Sequence, residues 1–465
     1  MLRKISRGGI LPPTHNEEIE IKHRRAAKCR PYKMFFCFVV LFLTLSLALP
    51  MVSATPPELM SEAAILMDPR TGNVLFGQNI HEQMYPASTT KIMTAILAIE
   101  HGDLDDMVTI QESALYDMPP LAATLGLEVG EEMSLGDLLS AIMLMSGNDA
   151  ANVIAEHVAG DVSAFVEMMN ERAVELGAYN TNFMNPTGLH DDEHVSTVYD
   201  MARISQFAMT IPAFRGTVVN AHIFLDGTNL HPERRYIINT NALVSRQRTA
   251  AYYFAPAIGI KTGFTSQAGL CLAAAAGRGR PFELISVTFG APPRGTATYS
   301  FTDTRALFDF GYSNFRQTNL ARVDQILSEV RIRYGRGTNR LSLVADAPLI
   351  ALIPTDSDAN DVVTRAILPD YVRAPVEQGE RIGEIEFLYN DNVIGRVDLL
   401  SNQTVNRRMF WWFFVAVDWV WSFAAVRVIV YILLIGLGLF FILFLIGVRN
   451  AIKRSKRKNK YVRRR

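Results

Sequence analysis

The fold class expected is α+β: a mixed domain with a helical centre, then a small all-β domain, then a C-terminal transmembrane helix. Three patterns predict it. Apolar residues recur at helical spacing between Thr90 and Met209, while strand-like runs lie on both sides of that stretch, at Ala63 to Phe76 and at Ala257 to Phe289. From Val323 to Val405 short alternating strands take over. Finally, Val428 to Val448 is a run of 21 residues without a charge, about 30 Å long as a helix and so matched to the hydrocarbon of a bilayer.

In chain order, Ala63 to Met67 and Asn73 to Phe76 read as a hairpin around the turn at Asp68 to Gly72. Thr90 to Glu100 reads as a helix stopped by Gly102, and Ser134 with Asp137 as a capping box before Leu138 to Met145. Asp149 to Val158, Val162 to Leu176 and Ser196 to Met209 are further helices. Ala257 to Ile260, Leu270 to Ala275 and Glu283 to Phe289 are antiparallel strands, the last two joined by a turn at Gly277 to Arg280, and Thr302 to Phe310 returns to helix. In the later segment Val330 to Arg333, Leu341 to Val344, Glu384 to Tyr389 and Val393 to Leu399 read as strands, with a turn at Tyr389 to Asn392.

At 465 residues and 49% apolar content the chain can bury one large core and a smaller one. The divisions expected are a basic tail and signal peptide over 1–54, a mixed domain over 55–316, a β domain over 317–407, an interfacial amphipathic segment over 408–427, the span at 428–448 and a cationic tail over 449–465. Net charge is zero, yet the charges are sorted. Residues 1–33 hold nine Lys/Arg against three acids and residues 449–465 hold ten against none; between them stand 43 acids against 26 basic residues besides Arg427. An acidic centre excludes nucleic acid as its partner. The cationic tail assigns the C-terminus to the cytoplasm and the centre to the outside of a cell membrane, crossed once. All four Trp, at 411, 412, 419 and 421, precede the span, where the headgroup layer suits amphipathic rings. Cys29 and Cys37 precede the cleavage pattern at Val52 to Ala54, so Cys271 stands alone in the mature chain as a buried thiol.

Chemistry gathers in three short motifs: Ser88-Thr-Thr-Lys91, Ser146-Gly-Asn148 and Lys261-Thr262-Gly263. Each is weak alone, since Ser455 to Lys458 repeats the first by accident; their order as a set is specific. Composition adds an independent pointer. Between Met34 and Ile452 every basic residue apart from histidine is Arg except Lys91 and Lys261. Arg keeps its proton, whereas a buried Lys beside another cation can lose it, so Lys91 is suited to act as a general base. With Ser88 at the start of the following helix, Lys91 lies one turn on and on the same face, and the free N–H groups of that helix start can stabilise an oxyanion. Ser146 and Asn148 fall at a break between helices, where they can face a cleft and relay a proton. Lys261 is expected to project from a strand edge, with Gly263 letting a substrate backbone lie close. The run His190 to His194 follows the turn at Asn185 to Gly188 and reads as a solvated polar loop; neither a metal site nor a cofactor is expected.

With the longer runs PASTTKIMT (86–94), SGNDAAN (146–152), NPTGL (185–189) and GIKTGFT (259–265), the sequence resembles the D-alanyl-D-alanine carboxypeptidases, the low-molecular-mass penicillin-binding proteins, from about Ala63 to Val405. The resemblance implies a β-lactamase/transpeptidase-like domain, a serine peptidase mechanism on peptidoglycan pentapeptides ending in D-Ala-D-Ala, and β-lactams as covalent inhibitors. It implies Ser88 as the acylated nucleophile, Lys91 as proton acceptor, Ser146 and Asn148 as the proton network, Lys261 and Thr262 on the substrate's terminal carboxylate, and the N–H groups of Ser88 and Phe264 as the oxyanion hole. One departure stands out: Ser300 precedes Phe301 where many relatives carry an Arg that helps hold the carboxylate, and Arg294 is the candidate substitute. Competing readings are a D,D-endopeptidase or transpeptidase, a β-lactamase, and a silent peptidoglycan-binding scaffold.

Overall fold

The computed structural model describes residues 56–462 apart from positions 117, 121, 295 and 296. The signal segment expected over 1–54 lies outside the described residues. Five antiparallel strands, β1 (Ala63–Met67), β2 (Val74–Gln78), β3 (Ala257–Thr265), β4 (Gly269–Ala276) and β5 (Leu284–Ala291), form one sheet in the order β2-β1-β5-β4-β3. The first strand therefore sits between its hairpin partner and the last strand, with Ala63 opposite Phe289. Both faces are covered. Ile65, Met67, Val287 and Phe289 join the helical core on one side; Ala64, Leu66, Leu272 and Leu284 pack with Leu307 and Phe308 on the other. A sheet buried on two faces needs continuous apolar runs instead of alternation, and all five residues of β1 are buried.

The helical cluster comprises α1 (Lys91–His101), α2 (Leu135–Leu144), α3 (Asn148–Ala159), α4 (Val162–Glu175), α5 (Val198–Ala208) and α6 (Pro212–Val218); α7 (Tyr299–Asn314) covers the opposite face of the sheet. Side-chain caps start three of them: Ser134 accepts from the Asp137 N–H, Asp161 from that of Ala164 and Thr197 from that of Asp200. α1 is central, with its first eight residues buried. The Asp303 carboxylate on α7 accepts hydrogen bonds from the Met60 N–H, the Ser61 N–H and the Ser61 hydroxyl at 3.0, 2.7 and 2.7 Å. That latch ties the chain just before β1 to the last helix of the domain.

Several elements were not anticipated, two of them close to the helical cluster. α6 starts on Pro212 at its first turn, and residues His222–Leu225 and Arg235–Ile238 pair as a short exposed hairpin. β3 also runs five residues past its expected end, carrying Lys261 to Gly263 within the strand.

From Phe315 onward the chain is β. β6 (Phe315–Ala321) pairs with β9 (Leu349–Pro354). β7 (Ile326–Arg333), β8 (Arg340–Ala345), β10 (Val363–Ile367), β11 (Val372–Arg373), β12 (Arg381–Tyr389) and β13 (Asn392–Ser401) form a second sheet in the order β10-β12-β13-β8-β7-β11. The turn between β12 and β13 places Asn390 and Asp391 at φ of 48° and 63°, the left-handed pair that a two-residue hairpin requires. Leu352 belongs to the core beneath α7, and the Asn73 side chain donates to the Ile394 carbonyl at 2.6 Å, so the β unit is seated on the first domain. Beyond it come α8 (Trp411–Ser422) and α9 (Ala424–Val462). The stretch Ala424–Arg454 has mean hydropathy 3.1 in its most apolar window and none of that window is buried in protein, as suits a membrane anchor.

Candidate active site

Ser88 lies on a 3-10 turn, Ala87–Thr90, which runs directly into α1. Ala87 has φ of 47°, a left-handed backbone that costs a non-glycine residue on the order of 1–2 kcal/mol and lifts the turn toward the cleft. The turn is wedged between two glycines. A Cβ on Gly263 would come within 3.1 Å of the Ser88 nitrogen, and one on Gly188 within 1.9 Å of the Ala87 carbonyl oxygen. At the leading end of a helix the first N–H groups have no intrahelical acceptor, and the Ser88 N–H is one of them.

Lys91 is wholly buried. Its Nζ is 2.6 Å from Asn148 Oδ1, 2.5 Å from the Thr187 carbonyl and 3.2 Å from Ser88 Oγ. Burial pushes its pKa well below the ordinary lysine value; the nearby Lys261 lowers it further, and Asp149 opposes the shift. The amide and carbonyl oxygens only accept, so they engage two of the Nζ protons; in the neutral form that the lowered pKa makes accessible, the lone pair is left for the hydroxyl of Ser88. Lys261 is also wholly buried, donates to the Thr262 carbonyl at 3.0 Å, and is lowered by burial to about 7.

The Thr187 carbonyl is a part of the site that motif reading missed. It is presented by a turn in which Asn185 Oδ1 accepts from the Thr187 N–H, the Thr187 hydroxyl and the Gly188 N–H. The same turn offers the Pro186 carbonyl to the Thr94 hydroxyl at 2.6 Å. Its signal was on the page as NPTGL, but nothing in that string says which backbone oxygen will meet an amine.

Ser146 adopts a left-handed φ of 71° between α2 and α3. Asn148 opens α3, and Asp149 beside it accepts from the N–H groups of Leu125, Gly126 and Leu127 at 2.9, 2.9 and 3.2 Å. With the Asn148 N–H donating to the Ala123 carbonyl at 2.8 Å, these bonds fix one wall of a cleft of about 700 Å³. Ser88, Ser146 and Asn148 line that cleft together with Thr262, Gly263 and Phe264 from β3, the edge strand. The Thr262 hydroxyl is held 2.7 Å from that of Thr240. Every residue singled out in the three motifs is thus in or directly beneath one cleft.

Two expectations need correction. Arg294 is exposed and does not line the cleft; Ser300 does, and among the described residues that line it the one charged side chain is Arg248, from the loop before β3. The run after the Gly188 turn is not a solvated loop throughout. His194 is buried, its Nδ1 accepting from the Met184 N–H at 3.0 Å and its Nε2 lying 2.8 Å from Thr90 Oγ1. Since Nδ1 accepts, Nε2 carries the proton and donates to Thr90. Burial holds the ring's pKa down at about 4. Cys271 is buried as expected, with its thiol pushed up to about 12 by burial.

A family model described as D-alanyl-D-alanine carboxypeptidase matches residues 51–293, and a second, described as Penicillin-binding protein 5, C-terminal domain, matches residues 315–407. The chain belongs to the D-alanyl-D-alanine carboxypeptidase family. It is 31% identical over 370 residues to D-alanyl-D-alanine carboxypeptidase DacF of Bacillus subtilis (strain 168), covering 76% of this chain and 88% of that one. To D-alanyl-D-alanine carboxypeptidase DacA of Haemophilus influenzae it is 30% identical over 353 residues, covering 74% and 85%. The crystal structure of penicillin binding protein 5 from Haemophilus influenzae superposes with a TM-score of 0.63 at 30% identity, covering 76% of this chain and all of that one. The second family model covers the β unit, and the apolar helix beyond it is long and apolar enough to cross a membrane.

Proposed function

We propose that this family member is a serine D-Ala-D-Ala carboxypeptidase, held to a membrane by α9, that removes the terminal D-alanine from peptidoglycan stem peptides through an acyl-enzyme on Ser88. The observation that carries the reading is the buried Lys91 amine, held by Asn148 Oδ1 and the Thr187 carbonyl and standing 3.2 Å from the Ser88 hydroxyl.

In the proposed sequence Lys91 takes the Ser88 proton as Oγ attacks the carbonyl carbon of the penultimate D-alanine. The oxyanion is received by the N–H groups of Ser88 and Phe264, on the two chain segments that Gly263 allows to approach. The Ser146 hydroxyl relays the proton to the departing D-alanine amine, and Asn148 holds the Lys91 amine in place for the transfer. Water then attacks the ester, with Lys91 again as base. Thr262, supported by Thr240, and Arg248 at the open side of the cleft receive the terminal carboxylate, with Lys261 adding positive potential from below. A β-lactam presents an amide carbonyl and a carboxylate to the same groups, which makes it an inhibitor by acylation. The cationic tail directs the C-terminus to the cytoplasm and the cleft outside, with one span and with residues 317–407 as a spacer.

The test uses the full chain in detergent with a peptide ending in D-Ala-D-Ala and, separately, a fluorescent penicillin, locating adducts by mass spectrometry. Released D-alanine and a lasting adduct on Ser88, both abolished in Ser88→Ala, are expected. An adduct that persists in that variant would place the nucleophile elsewhere; rapid penicillin turnover would make the protein a β-lactamase, and neither product would leave a binding scaffold.

A further inference from the structure

Where the β domain hands over to the anchor, a second cavity of about 790 Å³ opens. Its domain side is the loop from Ile332 to Asn339, and its other side is Arg408 with Phe414 and Asp418 of α8. Backbone bonds fasten the two: the Arg336 N–H donates to the Asn406 carbonyl at 2.9 Å and the Arg408 N–H to the Tyr334 carbonyl at 2.7 Å. The loop is held in an uncommon shape, with Tyr334 at φ of 61° and Gly337 at 88°. Three arginines, 333, 336 and 408, line the cavity against one carboxylate, Asp418.

That carboxylate is already engaged. It accepts from the Tyr334 hydroxyl at 2.8 Å and stands 3.8 Å from Arg333. Arg333 in turn lies over the Tyr371 ring at 3.9 Å, and Arg408 over Phe414 at 4.8 Å. Among the described residues neither Arg336 nor Arg408 has an ion-pair partner. Two guanidinium groups without an ion-pair partner, with the Asn339 side chain beside them, make a concave donor set for a phosphate, which arginine binds through paired N–H bonds.

Position supplies the occupant. Asp418 is six residues before Ala424, where the apolar helix begins, and α8 between them carries Trp411, Trp412, Trp419 and Trp421, of which Trp412 and Trp419 are the most exposed at 60% and 65%. Indole rings settle at the headgroup level of a bilayer, so a cavity framed by α8 opens at the depth of the lipid phosphates. We propose that Arg333, Arg336 and Arg408 form a binding site for the headgroup phosphate of an anionic glycerophospholipid in the leaflet nearest the β domain. The proposal rests on the reading of α9 as a span. Occupancy would brace the β domain against the bilayer and hold the cleft at a set height.

The test is made on the full chain reconstituted in vesicles of phosphatidylcholine with graded phosphatidylglycerol, and in neutral detergent micelles by native mass spectrometry that counts retained lipids. Wild type is expected to retain one phosphatidylglycerol in preference to phosphatidylcholine. In Arg336→Gln/Arg408→Gln its affinity should fall about 30-fold, with penicillin acylation of Ser88 unchanged as proof of folding. Neutralising Arg449 and Arg454 in α9 should leave that one lipid in place. Equal retention in the double variant overturns the site, as does loss on changing Arg449 and Arg454 alone, or displacement by inorganic phosphate as readily as by lipid. A chain that fails to enter vesicles of any composition overturns the span reading and the site with it, an outcome separate from entry without preference.

Discussion

Replacing Asn148 with Asp tests the protonation state of Lys91 with almost no change of shape. Wild type places a neutral amide oxygen 2.6 Å from Nζ; Asn148→Asp places a carboxylate there. Two unit charges at that separation attract by about 6 kcal/mol at an effective dielectric of ~20. Allowing half of that for desolvating the new carboxylate leaves about 3 kcal/mol, or about two units of pKa. The sign follows from the chemistry: attraction favours the charged ammonium, so Lys91 holds its proton to higher pH and the neutral fraction at neutral pH falls. The second-order rate of Ser88 acylation by a fluorescent penicillin, measured from pH 6 to 10, should therefore drop about 100-fold near neutrality, with the rising limb displaced upward by about two units. A variant that acylates with the wild-type pH profile would refute the assignment of neutral Lys91 as the base. A variant slowed equally at every pH would show that Asn148 acts through geometry and not through the charge on Lys91.

Gly188→Ala combines a left-handed φ of 76° with a Cβ 1.9 Å from the Ala87 carbonyl oxygen; the nucleophile turn must move, and acylation should fall at least ~100-fold while urea denaturation reports a loss on the order of 1–3 kcal/mol. Arg248→Ala should lower kcat/KM about 10- to 100-fold for a peptide ending in a free carboxylate and much less for its carboxamide. Ser300→Arg in that background should restore much of the preference, and failure of the carboxylate preference to change at all would remove Arg248 from the reading. His194 has a folded pKa of about 4 against an ordinary 6.5, so below pH 6.5 the unfolded chain takes up a proton that the fold refuses. Stability should decline as pH falls from 6.5 to 4 by roughly 3 kcal/mol, a slope that His194→Gln should reduce in urea titrations.

The elements that could be read from the sequence are those whose information is local. Ser134 announces a helix start through a cap that reaches only three residues, and β1 and β4 announce burial by unbroken apolar runs. Lys91 and Lys261 were legible because between Met34 and Ile452 the chain otherwise uses Arg. What stayed hidden depends on partners distant in sequence. The exposed pair His222–Leu225 and Arg235–Ile238 has little apolar period to read. The role of the Thr187 carbonyl depends on Asn185 folding the turn back toward α1, and His194 looked solvated because its neighbours Asp191, Asp192 and Glu193 are acidic while its own ring faces Thr90. Arg248 and Arg294 cannot be ranked from sequence, since each follows a different excursion of the backbone before returning to the sheet.

The placing of β1 between β2 and β5 also governs how the protein can be made. Ala63 cannot meet Phe289 until more than two hundred further residues have left the ribosome, and the Asp303 latch on Ser61 comes later still. Contacts so far apart in sequence form slowly, so the nascent peptidase domain lacks its central strand pairing, and with it a stable fold, for most of synthesis. Under the proposed topology, with the cleft outside the membrane, that delay is an advantage: the chain stays threadable while it crosses, and the sheet closes only as the last helix of the domain arrives, before the apolar helix that would halt the passage.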